Sequence, residues 1–170
     1  MARWPYSEDD LRAMYAGARG NATARRFARF WAVVLGTGLF ARRWVTLEVA
    51  GRRTGRVTRF PLGMADWDGD WHLVSMLGND SNWVRNVRAA GGLVTIRHGR
   101  ARACHLVEIP AEERAPILKR YLRKVPGARP HIPLDREAPL AAFEAIAARY
   151  PVFRVEAATT ASRTPKESGS

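Results

Sequence analysis

Cysteine is almost missing from this chain: Cys104 is the only one in 170 residues. A single thiol excludes an intrachain disulfide, and no Cys/His cluster has metal-ligand spacing, so no metal site is expected. Lysine is scarce too. Only Lys119, Lys124 and Lys166 stand among 28 basic residues, and the rest are arginine. No Ser/His/Asp set for nucleophilic catalysis is evident, and His72, His98, His105 and His131 are scattered. The apolar stretch over 30–41, broken by Gly36 and Gly38, is too short to cross a bilayer, which takes about 20 residues.

Acidic residues are the other shortage. Sixteen acids face 28 bases, for a net charge of +12. Up to Phe60 there are 12 arginines against Glu8, Asp9, Asp10 and Glu48, so 12 − 4 places +8 of the +12 in the front of the chain. Codon bias toward arginine and alanine accounts for an arginine-rich composition, but not for its gathering at one end. Guanidinium forks pair with phosphates and carboxylates. The charge therefore points to an anionic ligand or an anionic membrane surface. Nucleic acid is not expected as a partner, because the aromatics are not interleaved with the basic residues as a stacking platform. Ser7-Glu8-Asp9-Asp10 stands where a secretory signal would be apolar, so a cytoplasmic location is expected, with a peripheral place on the cytoplasmic membrane face as the variant.

The hydrophobic share, 46%, is enough for one domain with its own core. Ser7 and Asp10 read as the start of a helix over about 8–19, and a second begins near Thr23. It runs into 30–41, where Phe30, Trp31, Leu35, Leu39 and Phe40 are flanked by Arg29 and Arg42-Arg43-Trp44. That is a basic-edged interfacial pattern, or else a core helix packed on a barrel. Val45, Leu47 and Val49 alternate with polar residues as a half-buried strand, and a second strand covers about Thr58–Ala65. Asp68-Gly69 predicts a hairpin into Trp71–Met76. A helix over about Ser81–Ala90 ends at Gly91-Gly92. Leu93–Arg97 and Ala101–Ile109 form another hairpin. Helices over about Pro110–Lys124 and Arg136–Arg149 flank a proline-rich loop, and Val152–Val155 is a last strand. This order lacks βαβ alternation. It predicts a mainly β, α+β fold: an antiparallel barrel with N-terminal and peripheral helices. Three regions follow: 1–44 helical and basic, 45–156 a barrel domain, and 157–170 a disordered tail.

Two segments concentrate chemistry. Gly51-Arg52-Arg53-Thr54-Gly55-Arg56 sits between two strands and gathers guanidiniums, a hydroxyl and main-chain amides, the donor set a phosphate needs. Ser75-Met76-Leu77-Gly78-Asn79 then leads through Asp80 and Ser81 to Asn82-Trp83-Val84-Arg85-Asn86. Here a strand ends in a Gly/Asn/Ser loop and a helix begins, so loop and helix amides face one place. Trp83 suits stacking on a flat ring, or the core.

The ordered set Gly51-Arg52-Arg53-Thr54-Gly55, Pro61-Leu62, Asp68-Gly69-Asp70, then Trp83, Asn86 and Arg88 resembles the deazaflavin (F420)-dependent nitroreductases and quinone reductases. The resemblance covers about Val45–Val155. It implies a split β-barrel, coenzyme F420, and hydride transfer to a quinone, nitroaromatic or other unsaturated acceptor, as a monomer or homodimer. Arg52, Arg53 and Thr54 would hold the cofactor's phosphate and acidic tail. The family's next basic contact falls on Thr58, with Arg59 beside it and Pro61 and Leu62 following. Ser75, Met76, Gly78 and Asn79 would lie along the ring, with Asn82, Trp83 and Asn86 lining the same cleft. Where the family often carries late tyrosines, Pro126-Gly127 is followed by His131, a candidate substrate contact. No catalytic side chain is expected, because the cofactor carries the chemistry. Two other readings stay open: a related barrel that binds FMN, and a non-enzymatic lipid or fatty-acid carrier.

Overall fold

The computed structural model describes residues 26, 29–33, 37–38 and 41–158. Six strands form a closed antiparallel barrel: β1 (Trp44–Ala50), β2 (Val57–Trp67), β3 (Asp70–Val74), β4 (Leu93–His98), β5 (Arg100–Glu108) and β6 (Val152–Ala157), in the order β1-β2-β3-β6-β5-β4. Between β3 and β4 lies helix α1 (Asn82–Ala89); between β5 and β6 lie α2 (Ala115–Lys124) and α3 (Leu140–Ile146). Closure leaves the sheet no free edge.

The alternation read in β1 sets the layers. Val45, Leu47 and Val49 point inward and pack with Met64, Leu73, Ile96, Leu106 and Phe153, drawn from the other five strands. Trp83, Val84 and Val87 of α1 join this cluster and close it on one side. A second core lies outside the barrel wall. There Ala65, Val74 and Val152 meet Leu118, Tyr121 and Leu122 of α2 and Phe143 of α3. Leu47, Leu118 and Phe143 are completely buried, and each such side chain contributes about 1.5–3 kcal/mol by leaving water.

Several boundaries differ from the expectation, each for a local reason. β2 runs on to Trp67 because Asp66 and Trp67 pair with Trp71 and Asp70 across the hairpin. Met76 falls outside β3, in the turn that follows Val74. The helix expected from Pro110 is a 3-10 turn over Ala111–Glu113 followed by α2. Pro116 has no N–H to bond back, so the two do not merge. The helix expected from Arg136 begins only at Leu140, because Pro139 holds Ala138 out of helical geometry; it ends as a 3-10 turn over Ala147–Arg149. β6 extends to Ala157, and Ala158 N–H bonds Ala103 O, so strand pairing occupies the first positions of the expected tail.

The helix expected over 8–19 and the remainder of the tail lie outside the described residues. Of the front segment, residues 29–33 are helical. Ala32 is buried, and its carbonyl accepts a hydrogen bond from the buried Thr46 hydroxyl of β1. Phe30 and Val33 are 62% and 66% exposed. The segment therefore docks one side on the barrel and leaves apolar side chains on the other. Among the described residues no helix is long and apolar enough to cross a membrane.

Candidate functional site

The turn between β1 and β2 is closed by its own backbone. Gly51 N–H bonds Arg56 O and Gly55 N–H bonds Gly51 O, both at 2.8 Å, with Gly55 at φ +68°. Thr54 Oγ1 accepts the Arg56 N–H at 3.3 Å, which leaves its own hydrogen free to donate. Arg52, Arg53, Thr54 and Arg56 are all exposed.

One side chain from α1 braces this turn. Asn86, 4% exposed, accepts the Arg52 guanidinium at 3.0 Å and the Arg52 N–H at 3.3 Å on its Oδ1. Its Nδ2 donates to Thr58 Oγ1 at 3.2 Å, and that hydroxyl donates to Val49 O at 2.8 Å. Thr58 therefore stands as a link in the brace, at the position where the family resemblance places an arginine. Arg52 is oriented by a neutral amide, so its charge is not spent on a carboxylate.

The contrast with other arginines is informative. Among the described residues ten arginines pair with carboxylates. Arg52, Arg53 and Arg56 are not among them. Arg59 is: it donates to Glu48 at 2.9 Å, beside Arg97 at 3.2 Å. Partial burial pushes the Glu48 carboxyl up, but the hydrogen bonds from Arg59 and Arg97 outweigh it and hold the group below its ordinary range. Arg59 lies opposite Glu48 on the outer wall, whereas Thr58 lies opposite the inward Val49, so the two residues face opposite sides of the strand.

The second segment is held just as firmly. Ser75 Oγ donates to Gly78 O at 2.7 Å and shares a 3.0 Å hydrogen bond with Ser81 Oγ. Ser81 thus ties the loop rather than capping α1, whose first turn has no side-chain cap. Asn79 donates from Nδ2 to Ala148 O at 3.3 Å and accepts Arg88 at 2.9 Å. Met76 and Gly78 are half-buried, and Asn79 and Asn82 are exposed.

Other candidates go elsewhere. Trp83 is 6% exposed and tilted on Phe153 at 5.4 Å between centroids; its ring face is taken by the core, which corrects its reading as a ring-stacking residue. Leu62 packs against the interior cluster, and Pro61 lies opposite Thr46 on the outer wall. His131 sits in the loop after α2, its carbonyl accepting Tyr150 Oη at 3.2 Å, in the layer of α2 and α3 rather than beside the turn. A cleft of about 790 Å³ is lined by Trp67, Asp70, Trp71, Pro116, Lys119 and Arg120. It lies at the Trp67 end of β2, about 30 Å along the strand from the arginine turn. The sequence pointed to Asn86 and to the turn, but not to the brace between them.

Residues 21–142 match the family described as F420H(2)-dependent quinone reductase. The chain belongs to that family. No curated relative matches it in sequence. Among solved structures, one described as a domain-swapped dimer is 20% identical, with 79% of this chain and 96% of the other covered and a TM-score of 0.49. The F420-H2 dependent reductase FDR-A is 24% identical, over 68% of this chain and 95% of its own, with a TM-score of 0.46. The conserved hypothetical protein Rv2991 of Mycobacterium tuberculosis is 15% identical, over 74% and 79%, at 0.45.

The residues present suit the family's cofactor. Three guanidiniums without carboxylate partners among the described residues, a hydroxyl able to donate and a closed turn form a donor set for a phosphate or acidic tail. The Ser75–Asn79 loop leads into the same helix that braces the turn.

Proposed function

We propose that this member of an oxidoreductase family binds F420 and reduces an apolar acceptor of the quinone type. Bound reduced deazaflavin supplies the hydride. Arg52, Arg53 and Thr54 hold the phosphate and acidic tail, with Asn86 fixing Arg52. Met76, Gly78, Asn79 and Asn82 border the ring, and Ser75 sets the loop's shape through Gly78 and Ser81. The observation that carries this reading is Arg52 oriented by Asn86 at 3.0 Å, beside two further arginines with no carboxylate partner among the described residues, in a chain of this family.

The test is a fluorescence titration with F420 and, separately, with FMN. The expected result is saturable F420 binding that Arg52→Ala/Arg53→Ala weakens by roughly 100-fold or more, since each lost charge-assisted contact costs about 1.5–3 kcal/mol. FMN binding that the same substitutions leave unchanged, with no F420 binding, would overturn the reading in favour of a flavin carrier.

A membrane-soluble acceptor is favoured by the front segment. Phe30 and Val33 are exposed beside the exposed Arg26 and Arg29. That pairing of apolar and basic groups suits contact with an anionic bilayer surface.

A further inference from the structure

Helix α1 is tied in two directions by residues two places apart. Asn86 reaches the arginine turn. Arg88 reaches the other half of the candidate site, where its Nη2 donates to Asn79 Oδ1 at 2.9 Å. The same guanidinium grips Glu108 at both oxygens, Nε to Oε2 at 3.0 Å and Nη2 to Oε1 at 2.6 Å. Glu108 is itself anchored by Arg114 at 3.2 Å. Arg114 is 7% exposed and rooted in main chain, donating to Ile109 O at 2.7 Å, Ala147 O at 3.4 Å and Tyr150 O at 3.5 Å.

We propose that Arg88 is a positioning residue: through the chain Arg114–Glu108–Arg88 it fixes Asn79, and with it the Ser75–Asn79 loop, relative to the arginine turn. The inference rests on the function proposed above for its enzymatic consequence, but the positioning itself is a property of the loop. Both ends of the Asn79 amide are consumed, Oδ1 by Arg88 and Nδ2 by Ala148 O, so the amide plane cannot flip without breaking two bonds. An isolated surface ion pair contributes little. This one is a two-pronged fork backed by a buried guanidinium, and the geometry needs arginine. A lysine in its place is a point charge that cannot span Glu108 and Asn79 in one plane.

The experiment compares the full chain with Arg88→Ala, Arg88→Lys, Asn79→Ala and Asn79→Ala/Arg88→Ala. Amide exchange of residues 75–79 is read without ligand. F420 affinity and single-turnover hydride transfer from reduced F420 to menadione are read with it. Arg88→Ala should lose exchange protection in 75–79 while β1, β2 and β6 keep theirs, which reports an intact barrel. Hydride transfer should fall roughly tenfold, the scale expected of a sub-ångström misplacement. F420 affinity, held at Arg52 and Arg53, should change far less. Arg88→Lys should stay impaired, and the double variant should fall no further than Arg88→Ala, because residues in one network are not additive.

Unchanged protection of 75–79 in Arg88→Ala, or additive losses in the double variant, overturns the inference. Loosening of 75–79 in Arg88→Ala, together with a wild-type chain that binds no F420, overturns the functional reading alone.

Discussion

Thr58 serves twice with one hydroxyl, donating to Val49 O and accepting from Asn86. Asn86 is buried and held by donors and acceptors on both amide atoms, so its orientation follows from Thr58 as much as from Arg52. Thr58→Val keeps the shape and removes the hydroxyl. It leaves Asn86 Nδ2 and Val49 O without this partner, and stability should fall by about 1–3 kcal/mol, read from urea unfolding midpoints. A wild-type midpoint would show that the hydroxyl contributes nothing to the brace. The sequence carries the members of this network but not their links: Arg52 and Asn86 are 34 positions apart, and Asn86 and Thr58 are 28. Trp83 shows the same limit from the other side. Its spacing in α1 suits a core face and a ring-stacking face equally, and only the approach of Phe153 from β6 decides between them.

Between elements, Asp66 is the clasp. It accepts Arg120 of α2 at 2.5 Å and Arg43, just ahead of β1, at 3.3 Å. The Arg120 hydrogen bond, with help from Arg43, holds the Asp66 carboxyl at about 2, against an ordinary 3.8. The fold thus favours the charged form. Its contribution is complete above about pH 4 and is lost as the pH falls from 3.8 through about 2. The carboxylate is partly exposed and screened, so the useful readout is the pH trend. The stability difference between wild type and Asp66→Asn should be flat above pH 4 and shrink toward pH 2; a flat difference down to pH 2 would refute the clasp. At this scale the sequence was most legible in its hairpins. Asp68-Gly69 and the alternation of β1 specify local geometry, and the barrel respects both. It was least legible around prolines, where Pro116 and Pro139 cut the helices that periodicity alone would run together.

Taken whole, the charge separates into two populations. Arginines such as Arg43, Arg88 and Arg120 are absorbed in ion pairs that join elements, while those of the turn and of the exposed front segment are left facing outward. With a net charge of +12, contact with anionic vesicles should be measurable by flotation. It should weaken on raising salt and drop further when Phe30 and Val33 are replaced by Ser. Equal flotation with neutral vesicles would remove the electrostatic part of that reading. The barrel class was legible because strand periodicity and turn residues are local; the front segment was not, because an apolar stretch with basic flanks reads alike whether a barrel or a bilayer covers it. Its contact with Thr46 answers for one side only. The helix α1 carries a last consequence. One eight-residue helix grips both the arginine turn and the Asn79 loop, so the gap between them is gauged by the pitch of that helix. The protein carries its own ruler: the spacing of turn and loop belongs to the fold itself.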